Sequence, residues 1–171
     1  PLPVANELEA QAFATLFDSD PRAPRVRVHD VSRAEGGHLA DHRSHQSGRD
    51  VDVAYFRTDC RRVPCSFRTT SPESLDVRRQ WALFRYWLEA GVIDMIFVDR
   101  SLHEVLYEEA RRTGATAEQL SRWFQYPRGS GNPYGAIRHF ANHANHFHVR
   151  FICPQGDDAC ESRPNLSHDD E

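Results

Sequence analysis

Four residues between positions 42 and 52 are of types that bind metal ions: His42, His45, Asp50 and Asp52, in HRSHQSGRDVD. The histidines stand three apart, the aspartates two apart, and Asp52 follows His45 by seven. A second group, His143, His146 and His148, lies in NHANHFHVRF, some ninety residues further on. Imidazole and carboxylate ligands together suit zinc or a similar borderline divalent ion. A hydrolytic zinc takes three protein ligands and keeps one position open for water. Four candidates in one short stretch are too many for that, and each group alone is wrong in count or geometry. Together the two groups can furnish one site.

Strand geometry narrows the choice. If HFHVRF is a strand, His146 and His148 share a face while Phe147, Val149 and Phe151 turn to the core. Residues two apart on a strand are separated by about 6.6 Å at the backbone. One of the pair can therefore coordinate an ion while the other reaches its bound water or a substrate. DVDVAYF alternates in the same way, with Asp50 and Asp52 on one face and Val51 and Val53 on the other. One ligand and one supporting group are expected from each pair. No HExxH occurs, so the glutamate base of the zincins is absent; a histidine titrating near neutrality can take its place. The isolated His29, His38, His103, His139 and His168 read as solvated polar residues.

The elements that must hold these residues are legible in outline. NELEAQAFATLF places Leu8, Ala12 and Leu16 at helical spacing, and RVRVHDVS alternates as a strand. The longest helix is expected over Glu73 to Ala90, stopped by Gly91, with a buried strand from Val92 to Val98 after it. Ser101 with Glu104 reads as a capping box for a helix ending near Gly114, and Thr116 with Gln119 for a shorter one through about Gln125. Strands separated by unlike helices favour an α+β fold, a small antiparallel central sheet flanked by helices. Residues 1–160 are expected to form one domain, with 161–171 a polar, mobile tail.

Composition excludes several functions. The net charge is -4 and there is no cationic run, so nucleic acid is not an expected partner. All 21 basic residues are arginines, which excludes lysine nucleophiles and Schiff bases. No apolar run approaches the ~18–20 residues that span a bilayer. No signal-peptide pattern is present, so the chain from Pro1 is expected to be a mature or trimmed form. The four cysteines fall into close pairs, Cys60 with Cys65 and Cys153 with Cys160, for which short local disulfides are the simplest connectivity. Disulfides imply an oxidising compartment, periplasmic or extracellular.

Two strings carry a family resemblance. HRSHQSGRDVDV resembles the SHxSHQxGxDVD signature of the penicillin-insensitive murein endopeptidases, and HANHFHVRFICP is similar to their HxxHFHVRxxCP. These enzymes belong to a wider group of zinc peptidases with D-alanyl-D-alanine carboxypeptidases, D-Ala-D-Ala dipeptidases and the hedgehog signalling domain. The resemblance implies that LAS/hedgehog-like fold, with one zinc per chain held by His45, Asp52 and His148. It implies His146 as catalytic base or transition-state stabiliser, with His143 and His42 as further active-site histidines, and it supports the Cys153–Cys160 pair. Asp50 is then expected beside a ligand, orienting an imidazole. The implied substrate is peptidoglycan, cut at the amide between D-alanine and the diamino acid of a neighbouring stem peptide. Alternatives are a D-Ala-D-Ala carboxypeptidase or dipeptidase on the same site, or a zinc-stabilised wall-binding domain without turnover. A monomer or weak oligomer is expected.

Overall fold

The computed structural model describes residues 26–32, 37–38, 44–60, 65–129, 134–153, 155–156 and 160. The helix expected around Leu8 to Leu16, His42, His168 and the tail lie outside the described residues. Among these described residues eight elements follow in order: β1 (Val28–Val31), β2 (Asp50–Ala54), α1 (Val77–Ala90), β3 (Ile93–Val98), α2 (Arg100–Arg112), α3 (Ala117–Trp123), β4 (Ile137–His139) and β5 (His146–Phe151). The α+β expectation holds, with one correction to the sheet. It has five strands in the order β1-β2-β5-β3-β4 and is mixed rather than antiparallel, because β4 runs parallel to β3. A parallel neighbour needs a long crossover, and α2 and α3 supply it. The three residues of β4 are too few to carry an alternation of their own; pairing to β3 makes them a strand.

Each face of the sheet has one task. Val51, Val53, Phe147, Val149, Phe151, Ile96, Val98 and Ile137 are all nearly inaccessible and form the core with the helices. Phe147 meets Phe84 of α1 edge to face at 4.9 Å, and Trp87 packs edgewise on Phe151 at 5.6 Å. Burying each such ring contributes roughly 1.5–3 kcal/mol. The intervening residues of β2 and β5 (Asp50, Asp52, His146, His148 and Arg150) turn to the other face. Side-chain alternation thus separates the stabilising face from the chemical one.

Helix ends differ from expectation where side chains claim the backbone. α1 starts at Val77, later than Glu73, because Ser71 first gathers the amides of Ser74 and Leu75 into a turn; Asp76 is the cap and accepts from the Arg79 amide. Gly91 ends it at φ 67°, its N–H returning to Leu88 and Trp87. The cap of α2 is Asp99 rather than Ser101, whose amide and hydroxyl both donate to the Asp99 carboxylate. The Thr116–Gln119 capping box is present as expected.

Both expected disulfides form, Cys60–Cys65 and Cys153–Cys160. No described helix is long and apolar enough to cross a membrane.

One isolated histidine is not solvated. His103, on α2, is only 3% exposed, and its ring lies 6.4 Å from that of His139 on β4. Burial, and then the proximity of His139, pull its pKa from 6.5 down to about 4. The unfolded chain takes up this proton near pH 6.5, while the folded chain refuses it until about pH 4. The contribution is therefore whole above pH 6.5 and lost as acid is added through that window, up to roughly 3 kcal/mol. His103→Gln is expected to flatten this acid loss in urea unfolding at pH 7 and 4.5. An unchanged loss in the variant would assign the effect elsewhere.

Candidate metal centre

His45 reaches the site from an irregular loop, not a strand. Its backbone sits at φ 33°, a left-handed conformation unusual for a residue with a side chain. Such a conformation costs on the order of 1–3 kcal/mol and persists only where surroundings impose it. Nearby, the Gly37 amide donates to the Gln46 carbonyl at 3.0 Å and the Gly48 amide to Ser32 Oγ at 2.9 Å. The imidazole is fully buried.

Register brings in the other ligand candidates. β2 and β5 pair Asp52 with His148, Asp50 with Arg150 and Ala54 with His146. His45 Nε2 lies 3.2 Å from His148 Nδ1 and 3.3 Å from Asp52 Oδ1, and the last two atoms are 2.9 Å apart. Among the described residues, His45, Asp52 and His148 form the one buried group that could hold a metal ion. Zinc bound at about 2.0–2.2 Å to tetrahedral ligands spaces those ligands roughly 3.3–3.5 Å apart. The observed triangle is within a few tenths of an ångström of that, and its chemistry, two imidazoles and one carboxylate, is a catalytic-zinc set.

The electrostatics point the same way. Three atoms bearing lone pairs this close need a proton or a metal cation between them. Burial opposes ionising Asp52, but hydrogen bonds with His148 and His45 outweigh it and hold the carboxyl well below the usual range. Burial likewise opposes charging His148, but Asp50 and Asp52 overcome it and push that imidazole up. The second nitrogen of His148, Nε2, lies 2.9 Å from Asp50 Oδ1. Donation there fixes the proton on Nε2 and leaves Nδ1 facing His45 and Asp52.

His146 and His143 lie beside this triangle. His146 is half-buried, with Nε2 3.7 Å from Asp52 Oδ1, and Nδ1 donates to the Asn145 side-chain oxygen at 2.6 Å. It stands beside the triangle, outside its shorter contacts. His143 donates Nδ1–H to the Ala141 carbonyl at 2.7 Å, and its ring is 4.8 Å from that of His146 and 6.1 Å from that of His148. Burial above all pulls the pKa of His143 down to about 4. Of the nearby arginines, Arg49 is buried and donates to the Phe151 carbonyl, and Arg138 donates to that of Gly135.

Sequence reasoning overlooked Tyr55, Phe67 and Phe97. The buried Tyr55 hydroxyl donates to the His143 carbonyl at 2.9 Å and receives the Asp99 amide at 3.4 Å, pinning the loop before β5 to the start of α2. Phe67 and Phe97 pack their rings near His146 and His148 respectively. Nothing in the spacing of these three sets them apart from core aromatics.

Residues 128–171 match the family model of the penicillin-insensitive murein endopeptidases. The resemblance read from the sequence is thus found over the stretch that carries His143, His146 and His148. No curated protein matches the chain.

Proposed function

We propose that this chain is a zinc-dependent murein endopeptidase that hydrolyses the amide between D-alanine and the diamino acid of a neighbouring stem peptide. The observation that carries the reading is the convergence of His45, Asp52 and His148, from segments about a hundred residues apart, into one buried donor triangle. The family match over the second histidine group supports a peptidase acting on peptidoglycan. The two disulfides agree with work outside the cytoplasm, in periplasm or medium.

His45, Asp52 and His148 would hold zinc, which would supply an acidified water and a Lewis acid for the scissile carbonyl. Everything else falls to the protein's own side chains. His146, its Nδ1 proton committed to Asn145, offers Nε2 as the base that takes the proton of the attacking water and returns it to the departing amine as the C–N bond breaks. His143, neutral with its Nδ1 proton given to Ala141, is left with Nε2 as an acceptor. It therefore takes part by receiving a proton or a substrate N–H rather than by donating to an oxyanion. Asp50 keeps the His148 ring and tautomer fixed.

Incubation with purified sacculi tests the proposal. Cross-linked muropeptide dimers are expected to become monomers without release of free D-alanine. The conversion should stop with a chelator and return when zinc is restored. Free D-alanine with dimers intact would make the enzyme a carboxypeptidase. An unchanged muropeptide profile from about pH 5 to 9, the range in which a histidine base titrates, would leave only a non-catalytic wall-binding domain.

A further inference from the structure

The same-face alternation that places His146 and His148 together on β5 extends one step further, to Arg150. This arginine is only 7% exposed. Its Nε donates to Asp50 Oδ1 at 2.7 Å and its Nη2 to Asp50 Oδ2 at 3.3 Å. The oxygen that receives the stronger of these, Oδ1, is the one 2.9 Å from His148 Nε2. Asp50 itself is 1% exposed and lies opposite Arg150 in the strand register. A continuous chain of contacts thus runs from the guanidinium through one carboxylate and one imidazole to the donor triangle.

We infer that Arg150 is a positioning residue of the metal centre: its two-pronged hold on Asp50 fixes the carboxylate that sets the ring and tautomer of His148. This rests on the reading of His45, Asp52 and His148 as zinc ligands. The physical reason is geometric. A carboxylate held by one hydrogen bond can turn about its Cβ–Cγ bond; one held through both oxygens by a planar fork cannot. The charge matters too. Asp50 and Asp52 place two buried carboxylates around one imidazole, and the guanidinium is the cation that offsets the one facing away from the ligand triangle. A lysine could supply that charge at this position but not the fork.

The test reads zinc affinity, by competition with a fluorescent chelator, in the full chain. Arg150→Met is expected to bind zinc on the order of ten- to a hundredfold more weakly than the wild type, the usual cost of losing an outer-shell partner. Asp50→Ala is expected to weaken binding by at least as much. The double variant should be no weaker than Asp50→Ala alone, within about twofold, because Arg150 has nothing to act through once Asp50 is gone. A merely structural arginine would instead give losses that add. Wild-type affinity in Arg150→Met, or additive losses, overturns the inference. If Arg150→Met does not fold, Arg150→Lys enters the same cycle, keeping the charge but not the fork, and is expected to bind zinc severalfold more weakly. A wild type that binds no zinc would instead sink the reading of the site itself, which keeps the two failures apart.

Discussion

His148→Ala should lose its zinc. Structural zinc sites hold their ion with about 10–16 kcal/mol shared among four ligands, so one ligand is worth roughly 3 kcal/mol, a hundredfold or more in affinity. At this site the loss should be at the upper end, because His148 touches His45, Asp52 and Asp50 alike. Its Nδ1 closes the triangle with His45 and Asp52, and its Nε2 is bonded to Asp50. Without the ring, Asp50 and Asp52 lose the group that bridges them, and the apo protein should also be less stable. Elemental analysis after dialysis and competition titration measure the first effect, and urea unfolding of the metal-stripped protein the second. Sacculus digestion should fall to background even with zinc added near wild-type saturating levels. Stoichiometric zinc in this variant would show that the ligand set is misassigned.

What the sequence made legible was whatever strand alternation or a complete local motif imposes. DVDVA and HFHVRF each divide their residues between core and site by parity alone, and β2 and β5 divide them in that way. The Thr116–Gln119 box is self-contained within four residues and was readable for that reason. Illegible features depended on partners distant in the chain. β4 is a strand only because β3 lies beside it, and α1 starts late because Ser71 holds the preceding amides. His103 read as one more solvated histidine, yet in the fold it is buried, with its ring close to that of His139 on β4. At the site, residue types and spacing pointed to a split metal centre but could not choose within each pair. The family resemblance named His45, Asp52 and His148, and the one-to-one register of Asp52 with His148 and a left-handed turn at His45 bring those three side chains together.

His146→Ala is the counterpart to the first variant and should separate binding from chemistry. His146 shares a strand face with His148, yet its Nε2 stays 3.7 Å from Asp52 Oδ1 while the members of the triangle are 2.9–3.3 Å from one another. Its ring is held from two sides, by the Asn145 oxygen on Nδ1 and by Phe67 at 5.8 Å between ring centres. That fixes Nε2 next to the donor triangle and outside its shorter contacts, the placement a general base needs. Removing it should leave zinc content at one per chain and affinity within a few-fold of wild type. Turnover on cross-linked muropeptides should drop by about 10²–10⁴, the range that a positioned acid–base group contributes, with the loss in kcat rather than KM. Zinc lost together with turnover would make His146 a ligand. Turnover retained would move the base to His143, whose Nε2 is the acceptor left on the neighbouring ring. The pair of variants therefore decides between two arrangements of the same three histidines, one holding the ion by a single imidazole of the HxH pair and one by both.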